Sequence, residues 1–360
     1  MSKPRLLYVT HVDWGHIRQR PHHIASGLAA YYDVTVAAPI SRRRSLQVAN
    51  PDTGLRRIGL LRAPGSYRSA AVLALNNSLC AAQLWSRIAG VPDIVMVTAP
   101  ECHSWVAPWI GAAKLAYDCM DDAQAFAQDG GVRAAKLTLE AALLARANVV
   151  FASSEQLVDR CVERGALRQK VVWIANGWDS RAFPVAPSRP LPASGPLTLA
   201  YFGTIDAWLD FRSLEDVVRT CPEVTVRLIG PNACGYAPPD PRIVVRHPVP
   251  HATLATAVED CDAFLLPFQV NDLTRAVDPV KLYEYIALGR PVLCSHWAGL
   301  DRFRAMVTFY ETTSQFVHLF AARALTAPLD ASTRAAFLAQ HAWSARVGSM
   351  AAALKAVDSA

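Results

Sequence analysis

The chain alternates short apolar segments with helical patterns in two series, and a proline-rich segment separates the two. This segment, residues 184–196, contains five prolines, too many for regular structure, so we interpret it as an interdomain linker. The first series opens with a strand at Arg5–Thr10, a helix at Gln19–Tyr31 and a strand at Asp33–Ala38, and the second opens with a strand at Leu197–Phe202. Repeated alternation of this kind predicts parallel sheets with helices on both faces. We therefore expect an α/β protein with two doubly wound, Rossmann-like domains.

Composition narrows the class of protein. Hydrophobic residues make up 52% of the chain and charged residues 18%, which indicates a globular protein and excludes extended disorder. No uncharged apolar run reaches the roughly 18 residues that a membrane-spanning helix needs, and the opening segment is too short for a signal-peptide core. The eight cysteines are scattered without a Cys-x-x-Cys pair, so neither zinc nor a disulfide framework is indicated. We expect reduced core thiols in a cytoplasmic protein.

Two common nucleotide-binding motifs are absent from the sequence. The first strand-to-helix turn, His11–His16, is not a G-x-G-x-x-G, and no P-loop occurs anywhere, so no dinucleotide cofactor is expected. Nucleic acid is not an expected partner either, because no basic helix, zinc-finger spacing or RNA-binding aromatic motif accompanies the basic residues.

Positive charge is concentrated in the first half of the chain. Residues 1–180 contain 20 Lys and Arg against 14 Asp and Glu, whereas residues 181–360 contain 16 of each, so the net charge of +6 belongs to the first half. Such a surface attracts phosphates, anionic polymers or the cytoplasmic leaflet of a membrane. It is equally compatible with a role in solubility alone. The most basic stretch contains Arg42, Arg43, Arg44, Arg56, Arg57, Arg62 and Arg68.

One helix in the second half carries an unusual charge in its first turn. Asp278 is a good N-cap, Pro279 a good first helical residue, and Gly289 a good terminator. Lys281 opposes the helix dipole, a placement that suits a bound anion such as phosphate. Glu284 follows one turn later on the same face, where it can accept from sugar hydroxyls. Together they indicate a nucleotide site, although a capped surface helix with a weak Lys–Glu pair explains the same residues.

The run from Asp278 to Pro291 resembles the donor-site signature of the GT-B glycosyltransferases, especially bacterial polysaccharide enzymes similar to those of teichuronic-acid biosynthesis. The resemblance implies that the helix N-terminus and Lys281 hold the diphosphate of a nucleotide sugar, that Glu284 binds the ribose, and that a cleft between the two domains holds the donor. The wider superfamily often has a second glutamate eight residues earlier, where this chain has Ala276. Further donor-side candidates are Val280, Tyr283, Asp278 and Arg275.

The first strand of the second domain ends in Gly203 and Thr204, which we also assign to the donor site. A glycine there lets the backbone approach a ligand at the carboxyl edge of the sheet. Related transferases often carry a basic residue in this loop, but the chain has none before Arg212, so Lys281 and Arg275 would supply the charge. An ordinary strand-end glycine remains an alternative.

Three carboxylates, Asp118, Asp121 and Asp122, cluster where a strand of the first domain gives way to a loop. Like charges this close oppose joint ionisation, so one carboxylate can act as a base with a raised pKa. The run resembles the Tyr-Asp-x-x-Asp-Asp/Glu of the same family, which makes Asp121 the first candidate for the catalytic base and Asp122 the second. A metal site and a capped loop are the alternatives. The resemblance implies metal-independent transfer, and we expect no metal.

The segment Trp14–His23 resembles the family's Trp…Gln-Arg-Pro-Gln/His-His segment. By that resemblance Trp14, His16, Gln19 and Arg20 lie on the first-domain side of the cleft, facing the donor phosphates or the acceptor. The histidines that follow could equally be ordinary helix residues.

The resemblance also sets the expected domain limits. Residues 1–183 would form the first domain, because Asn-Gly-Trp-Asp at 176–179 and Phe183 resemble the segment that closes it in this family. Residues 197–330 would form the nucleotide-sugar domain. Helices in 331–360 would pack back on the first domain.

The expected activity is transfer of a sugar from a nucleotide diphosphate, more specifically UDP, to a glycan or lipid-linked glycan in polysaccharide biosynthesis. The protein would work in the cytoplasm, with peripheral contact to the anionic inner face of the membrane, and without a cofactor. A nucleotide-sugar 2-epimerase of the same fold is one alternative. A catalytically silent subunit that binds a partner or a glycan is another.

Overall fold

The computed structural model describes residues 3–15, 18–40, 55–125 and 129–358. The chain divides into two compact units, here called the first unit (Met1–Asn176 with Trp343–Ala360) and the second unit (Gly177–Ala342). Among the helices of the described residues, none is long and apolar enough to cross a membrane. The predicted basic residues Arg42, Arg43 and Arg44, and the candidate His16, lie outside the described residues.

The first unit contains a parallel α/β sheet. Its elements up to Asn176 are β1 (Arg5–Val9), α1 (Arg20–Leu28), β2 (Asp33–Pro39), β3 (Arg56–Leu60), α2 (Ala70–Trp85), β4 (Ile94–Val97), α3 (Cys102–Trp105), β5 (Lys114–Cys119), α4 (Gly130–Arg146), β6 (Val149–Ala152), α5 (Glu155–Glu163) and β7 (Val171–Trp173). The strand order is β3-β2-β1-β4-β5-β6-β7. Because β1 pairs with β2 on one side and β4 on the other, the winding direction reverses there, which is where sheets of this type bind ligands.

The second unit repeats this architecture. Its elements are β8 (Leu197–Phe202), α6 (Phe211–Thr220), β9 (Val224–Ile229), β10 (Ile243–Arg246), α7 (Leu254–Ala257), β11 (Ala263–Leu266), α8 (Asp272–Arg275), α9 (Val280–Leu288), β12 (Val292–Ser295), β13 (Thr308–Tyr310), α10 (Thr313–Ala321) and α11 (Ala331–Gln340). The parallel order β10-β9-β8-β11-β12-β13 reverses between β8 and β11. The expected pair of doubly wound, Rossmann-like domains is therefore present.

The apolar runs that predicted strands are buried on both faces, as sheets covered by helices require. In β4 every residue of Ile-Val-Met-Val is buried, and in β11 every residue of Ala-Phe-Leu-Leu. Each large apolar side chain removed from water in this way stabilises the fold by about 1.5–3 kcal/mol. The sheets thus hold their carboxyl edges, from which the candidate residues project, in fixed register.

The last helix, α12 (Trp343–Asp358), belongs to the first unit. It packs on α1, where the Trp343 ring stacks on His23 with centroids 4.7 Å apart. Gly27 of α1 makes this approach feasible, because a Cβ there would stand 3.0 Å or less from methyl carbons of Val347. By contrast, α11 packs on α9 in the second unit. The segment that returns to the first unit therefore begins at Trp343, and not at residue 331.

The proline-rich segment 184–196 packs within the second unit, so its interpretation as a free linker needs correction. The Ala186 N–H donates to the Ala287 carbonyl at the end of α9, at 2.8 Å. The segment is held there by Arg334, which is buried and donates to the carbonyls of Ala186, Ile286 and Ala287. A guanidinium that satisfies both the segment and the helix end holds the two together.

Residues 177–183, expected in the first domain, also belong to the second unit. Phe183 is fully buried in the core of that unit and stacks on Phe202 of β8, with centroids 5.8 Å apart. The backbone N–H of Trp178 donates to the carbonyl of His341 at 2.8 Å. An aromatic side chain that can bury completely in one core decides the boundary more strongly than the Asn-Gly turn before it.

Candidate functional site

In the second unit, Gly203 lies directly against the side chain of Lys281. Gly203 follows β8 with φ +139°, and a Cβ there would collide with Lys281 Cε and lie 2.7 Å from its Nζ. Gly230 follows the neighbouring β9 with φ +150°, and a Cβ there would collide with the Gly203 carbonyl. The Lys281 Nζ also lies 5.7 Å from the ring centroid of Tyr201. Two glycines thus make room for an ammonium group at the carboxyl edge of the sheet.

The helix that carries Lys281 begins at Val280, with Pro279 as N-cap. The prediction that Asp278 caps it is wrong. The buried carboxylate of Asp278 instead pairs with Arg302, which also donates to the Tyr283 hydroxyl at 3.2 Å. In this pair both the donor and the acceptor are ionised, whereas in a cap only the carboxylate is. Asp278 and Tyr283 are therefore part of a buried network beside the helix end.

The start of α9 is consequently suited to an anion. The first N–H groups of a helix have no intrahelical acceptor, and within the described chain no side chain caps this helix. The N–H groups of Val280 and Lys281 lie in that first turn, where the helix dipole favours negative charge. Backbone donors and the Lys281 ammonium therefore occur at one helix end.

Among the described residues, no acidic side chain is in contact with the Lys281 ammonium. Burial lowers the pKa of Lys281 below its ordinary value, and Glu284 opposes that shift. In the part of the chain that the structure describes, no carboxylate forms an ion pair with Lys281. A bound anion would supply the missing counter-charge. Of the other donor-side candidates, Arg275 is exposed at the end of α8, and Thr204 accepts the Tyr201 hydroxyl on its carbonyl at 2.9 Å.

Glu284 lies one turn further along α9 and is buried. Its Oε1 is 3.2 Å from Nε2 of His251, and the His251 ring makes an edge contact with Phe183, with centroids 5.1 Å apart. His251 thus fixes one carboxylate oxygen and leaves Oε2 to accept from a ligand. Sequence reasoning missed His251, because it stands 33 positions before Glu284 and no local pattern joins the two.

In the first unit, Asp118 at the end of β5 forms a buried ion pair with Arg20. The Arg20 Nε and Nη2 donate to Asp118 Oδ1 at 2.9 and 2.8 Å. The Arg20 Nη1 donates to the Ala175 carbonyl and to Asn176 Oδ1, both at 3.2 Å. The prediction that Arg20 faces phosphates or the acceptor stays a prediction; within the first unit its guanidinium links Asp118 at the end of β5 to residues that follow β7.

The remaining two carboxylates of the cluster differ sharply. Asp122 is buried and accepts from Arg160 and, at 3.3 Å, from both terminal nitrogens of Arg164. Two guanidiniums therefore engage both of its carboxylate oxygens. Asp121 forms no such pair among the described residues, and burial raises its pKa to about 7. Arg20 opposes that shift, whereas Asp118 and Asp122 add to it.

The Asp122 side of the cluster continues into a buried polar network. Glu140 accepts from the Tyr117 hydroxyl at 2.9 Å, from Gln124 Nε2 at 2.6 Å and from Arg164 at 2.9 Å. Fully satisfied networks of this kind fix side-chain positions. The loop that carries Asp121 is therefore held from the Asp122 side, while Asp121 itself remains available.

Sequence reasoning also missed a buried pair near the reversal of the first sheet. Glu101 and Lys136 are both almost fully buried, with Lys136 Nζ 3.4 Å from Glu101 Oε2. Burial opposes the ionisation of Glu101, yet Lys136 holds its pKa below the ordinary value. Burial lowers the pKa of the nearby His11 to about 4, so this imidazole is neutral. Lys136 and Glu140 both lie on the buried face of α4. Charged residues at buried positions of a helix were the sequence signal that could have predicted these polar contacts.

The remaining first-unit candidates serve the start of α1. Trp14 is buried, its carbonyl lies 3.2 Å from His22 Nε2, and the two rings contact at 4.2 Å. Gln19 is the N-cap residue of α1, and its N–H donates to His22 Nδ1 at 3.1 Å. Contacts among Trp14, Gln19 and His22 thus hold the first turn of α1 in place.

Two glycosyltransferase family models match the chain, one in its first half and one in its second. Residues 15–177 match the family model described as Glycosyl transferase 4-like domain, and residues 212–352 match the model described as Glycosyl transferase-like. TuaH of Bacillus subtilis (strain 168), assigned as a teichuronic acid biosynthesis glycosyltransferase, is 27% identical over 167 residues. That match spans 43% of this chain and 42% of the length of TuaH.

Solved structures share the fold over nearly the whole chain at low identity. Sucrose-phosphate synthase from Thermosynechococcus elongatus has a TM-score of 0.73 at 15% identity and covers 99% of both chains. Anabaena HepE in complex with UDP-glucose has a TM-score of 0.67 at 14% identity and covers 99% of this chain and 100% of its own. The trehalose 6-phosphate synthase of Burkholderia multivorans has a TM-score of 0.66 at 11% identity, with 99% and 97% covered. The chain belongs to the glycosyltransferases of the GT-B fold.

Proposed function

We propose that this protein transfers a sugar, as a hexosyltransferase, from a UDP-sugar to a hydroxyl of a glycan or lipid-linked glycan in polysaccharide biosynthesis. The observation that carries the proposal is the Lys281 ammonium, which lacks an acidic partner among the described residues and lies against Gly203 beside the start of α9. UDP is the favoured nucleotide because structures of HepE, which shares the fold, hold UDP and UDP-glucose.

On the donor side, Lys281 and the first N–H groups of α9 bind the diphosphate and stabilise the negative charge that develops as UDP leaves. Glu284, held by His251, accepts from the ribose hydroxyls. Gly203 leaves room for the phosphates at the end of β8. Arg275, Thr204 and Val280 complete the proposed donor contacts.

On the acceptor side, Asp121 is the base for an inverting transfer. The acceptor hydroxyl loses its proton to the Asp121 carboxylate as its oxygen forms the new bond to the anomeric carbon. The bond from that carbon to the UDP oxygen breaks at the same time. A carboxylate with a pKa of about 7 suits this role, because it is largely ionised above neutral pH and still basic enough to take the proton.

The test is UDP release with and without a glycan acceptor. A transferase releases UDP in step with a lengthened acceptor. An epimerase turns over its donor without any acceptor, and a silent subunit releases nothing. Either of the last two results would overturn the proposal.

We also propose that transfer needs no metal and no cofactor. Activity should then survive EDTA. Loss of activity on chelation, with recovery on addition of magnesium or manganese, would instead assign a metal to the aspartate cluster.

Finally, we propose that the protein works in the cytoplasm with peripheral contact to the anionic inner face of the membrane. The support is the positive charge of the first half, in which Arg56, Arg57 and Arg68 are exposed. Lipid-linked acceptors would be presented at that surface.

A further inference from the structure

The outward face of α2 is apolar and uncharged, although it is exposed. This helix of 16 residues, about 24 Å long, contains no Asp, Glu, Lys or Arg. Its inward side packs Leu73, Cys80 and Leu84 into the unit. The exposed side includes Ala74, Leu75, Ser78, Leu79, Ala82 and Trp85.

The large side chains on this face remain substantially exposed. Leu75 is 52% exposed, Leu79 42% and Trp85 45%. Leu61, which is 59% exposed, extends the same surface, because its backbone pairs in both directions with the Gln83 amide at 2.9 Å. Apart from Ser78, the side chains on this exposed face are apolar, whereas the solvent face of a surface helix is normally polar or charged. A contiguous exposed apolar patch of this kind marks an interaction site.

Basic residues border the face at both ends of the helix. Arg68 immediately precedes the N-cap Ser69, and Arg87 follows the C-terminal end; both are exposed. Arg87 also donates to the Gly59 carbonyl at 2.7 Å, which holds it beside the neighbouring edge strand β3. Exposed Arg57 lies in that strand. The apolar strip is therefore bordered by positive charge.

We propose that this surface, Leu61 with the outward face of α2 from Leu75 to Trp85, docks on an anionic lipid leaflet. Leucines and a tryptophan on an exposed helix face, with basic residues alongside, are the chemistry of an interfacial helix. Arginines at the headgroup level are attracted by anionic lipid. The proposal deepens the membrane contact proposed above and does not depend on catalysis.

A second copy of the chain fits this surface less well. In a parallel two-fold pairing of the helices each basic end would face the same basic end of the other copy, and in an antiparallel pairing the basic N-terminal end would face the basic C-terminal end. Arg68 would then oppose Arg87 without a described acidic residue on either helix to compensate. An anionic leaflet pairs with both ends at once.

The experiment is co-sedimentation with vesicles of phosphatidylcholine alone or mixed with phosphatidylglycerol, at low and high salt. The double variant Leu75→Gln with Leu79→Gln removes apolar contact at exposed positions, so the fold should be retained. We expect about tenfold weaker binding to the anionic vesicles. The matched control is Leu167→Gln, an exposed leucine beside β7 at the opposite edge of the sheet, which should bind like the unaltered protein.

A second variant, Arg68→Gln with Arg87→Gln, should lose most of the salt-sensitive part of binding. UDP affinity should be the same in all variants, which separates failure of this proposal from failure of the donor site. Equal binding by the leucine double variant and the unaltered protein would overturn the proposal. So would a dimer in sedimentation velocity that the double variant abolishes, because the face would then belong to a second copy.

Discussion

The carboxyl edges of the two sheets carry candidate groups of opposite charge, a carboxylate in the first unit and an ammonium group in the second. In each unit most charged neighbours are neutralised: Asp118 by Arg20, Asp122 by Arg160 and Arg164, and Asp278 by Arg302. Among the described candidates, Asp121 and Lys281 form no such ion pair, nor does the exposed Arg275, and burial shifts the pKa of Asp121 and of Lys281 toward the neutral form. We therefore propose that the functional groups are those whose charge the fold does not compensate.

The largest expected effect separates the two neighbouring aspartates. Asp121→Asn should reduce turnover by about 10² or more, because it removes the base without disturbing an ion pair. Donor binding should remain intact. Asp122→Asn should instead lower the free energy of unfolding by about 3 kcal/mol, since it breaks the buried ion pairs that Asp122 forms with Arg160 and Arg164. Steady-state kinetics and thermal melts of both variants check this contrast, and a large loss of turnover in a stable Asp122→Asn would reverse the assignment.

The same difference predicts the pH profile. With a pKa of about 7 for Asp121, kcat/KM should rise with pH below 7 and level off above it, since only the carboxylate accepts a proton. In Asp121→Asn the residual rate should not follow this rise. A profile without an inflection between pH 6 and 8, measured under conditions where chemistry limits the rate, would contradict the role of Asp121.

In the second unit the expected loss is in binding. Lys281→Ala should weaken UDP binding roughly 10- to 150-fold, the equivalent of about 1.5–3 kcal/mol for charged hydrogen bonds. Calorimetry with UDP measures it. Arg219→Ala is the matched control, since this exposed arginine in the last turn of α6 pairs with Asp216 and has no part in the proposed donor contacts. Unchanged affinities for UDP, GDP and dTDP in Lys281→Ala would contradict the anion site.

The uncompensated acid also has a consequence for stability. The pKa of Asp121 is raised from 3.8 to about 7, so the fold favours the protonated form. The carboxyl group therefore contributes stability below about pH 4 and loses it as the pH rises through 7. At pH 8, Asp121→Asn should be more stable than the unaltered protein, by on the order of 1 kcal/mol. Denaturant unfolding at pH 4 and pH 8 measures the change, and equal stability at both would show that the site is well solvated.

Local patterns predicted the fold and part of the site. The apolar runs placed strands such as β8 and β11 correctly, and the glycine after β8 and the lysine after Pro279 were identified from their neighbours in the chain. These features depend on residues within about one turn of each other. Gly203 and Lys281 are nonetheless 78 positions apart, and it was the resemblance that placed them in one site.

Long-range pairs account for what the sequence did not show. Nothing near Asp122 distinguishes it from Asp121, because Arg160 of α5 and Arg164, the C-cap residue of that helix, come some 40 positions later. Asp278 has the local pattern of an N-cap, and only the distant Arg302 explains why it is not one. The contact of His251 with Glu284 likewise arises from the fold of the second unit. Which of several similar side chains contacts a given partner is decided by the tertiary structure, and the local sequence does not show it.

The smallest expected effect concerns His251, which contacts Glu284 and would influence donor binding through that contact. His251→Gln keeps a polar group near Glu284 Oε1 and should raise the KM for the UDP-sugar about two- to fivefold, with kcat nearly unchanged, the size expected for one net hydrogen bond. His251→Phe removes that group and should give a larger rise. By comparison, Glu284→Gln itself should weaken uridine binding while pyrophosphate binding stays nearly intact. If His251 only supported packing against Phe183, His251→Phe would be the milder change, and the rise in KM of each variant would follow its loss of folding stability. Partial rescue by Gln and not by Phe is therefore the result that assigns His251 to positioning Glu284.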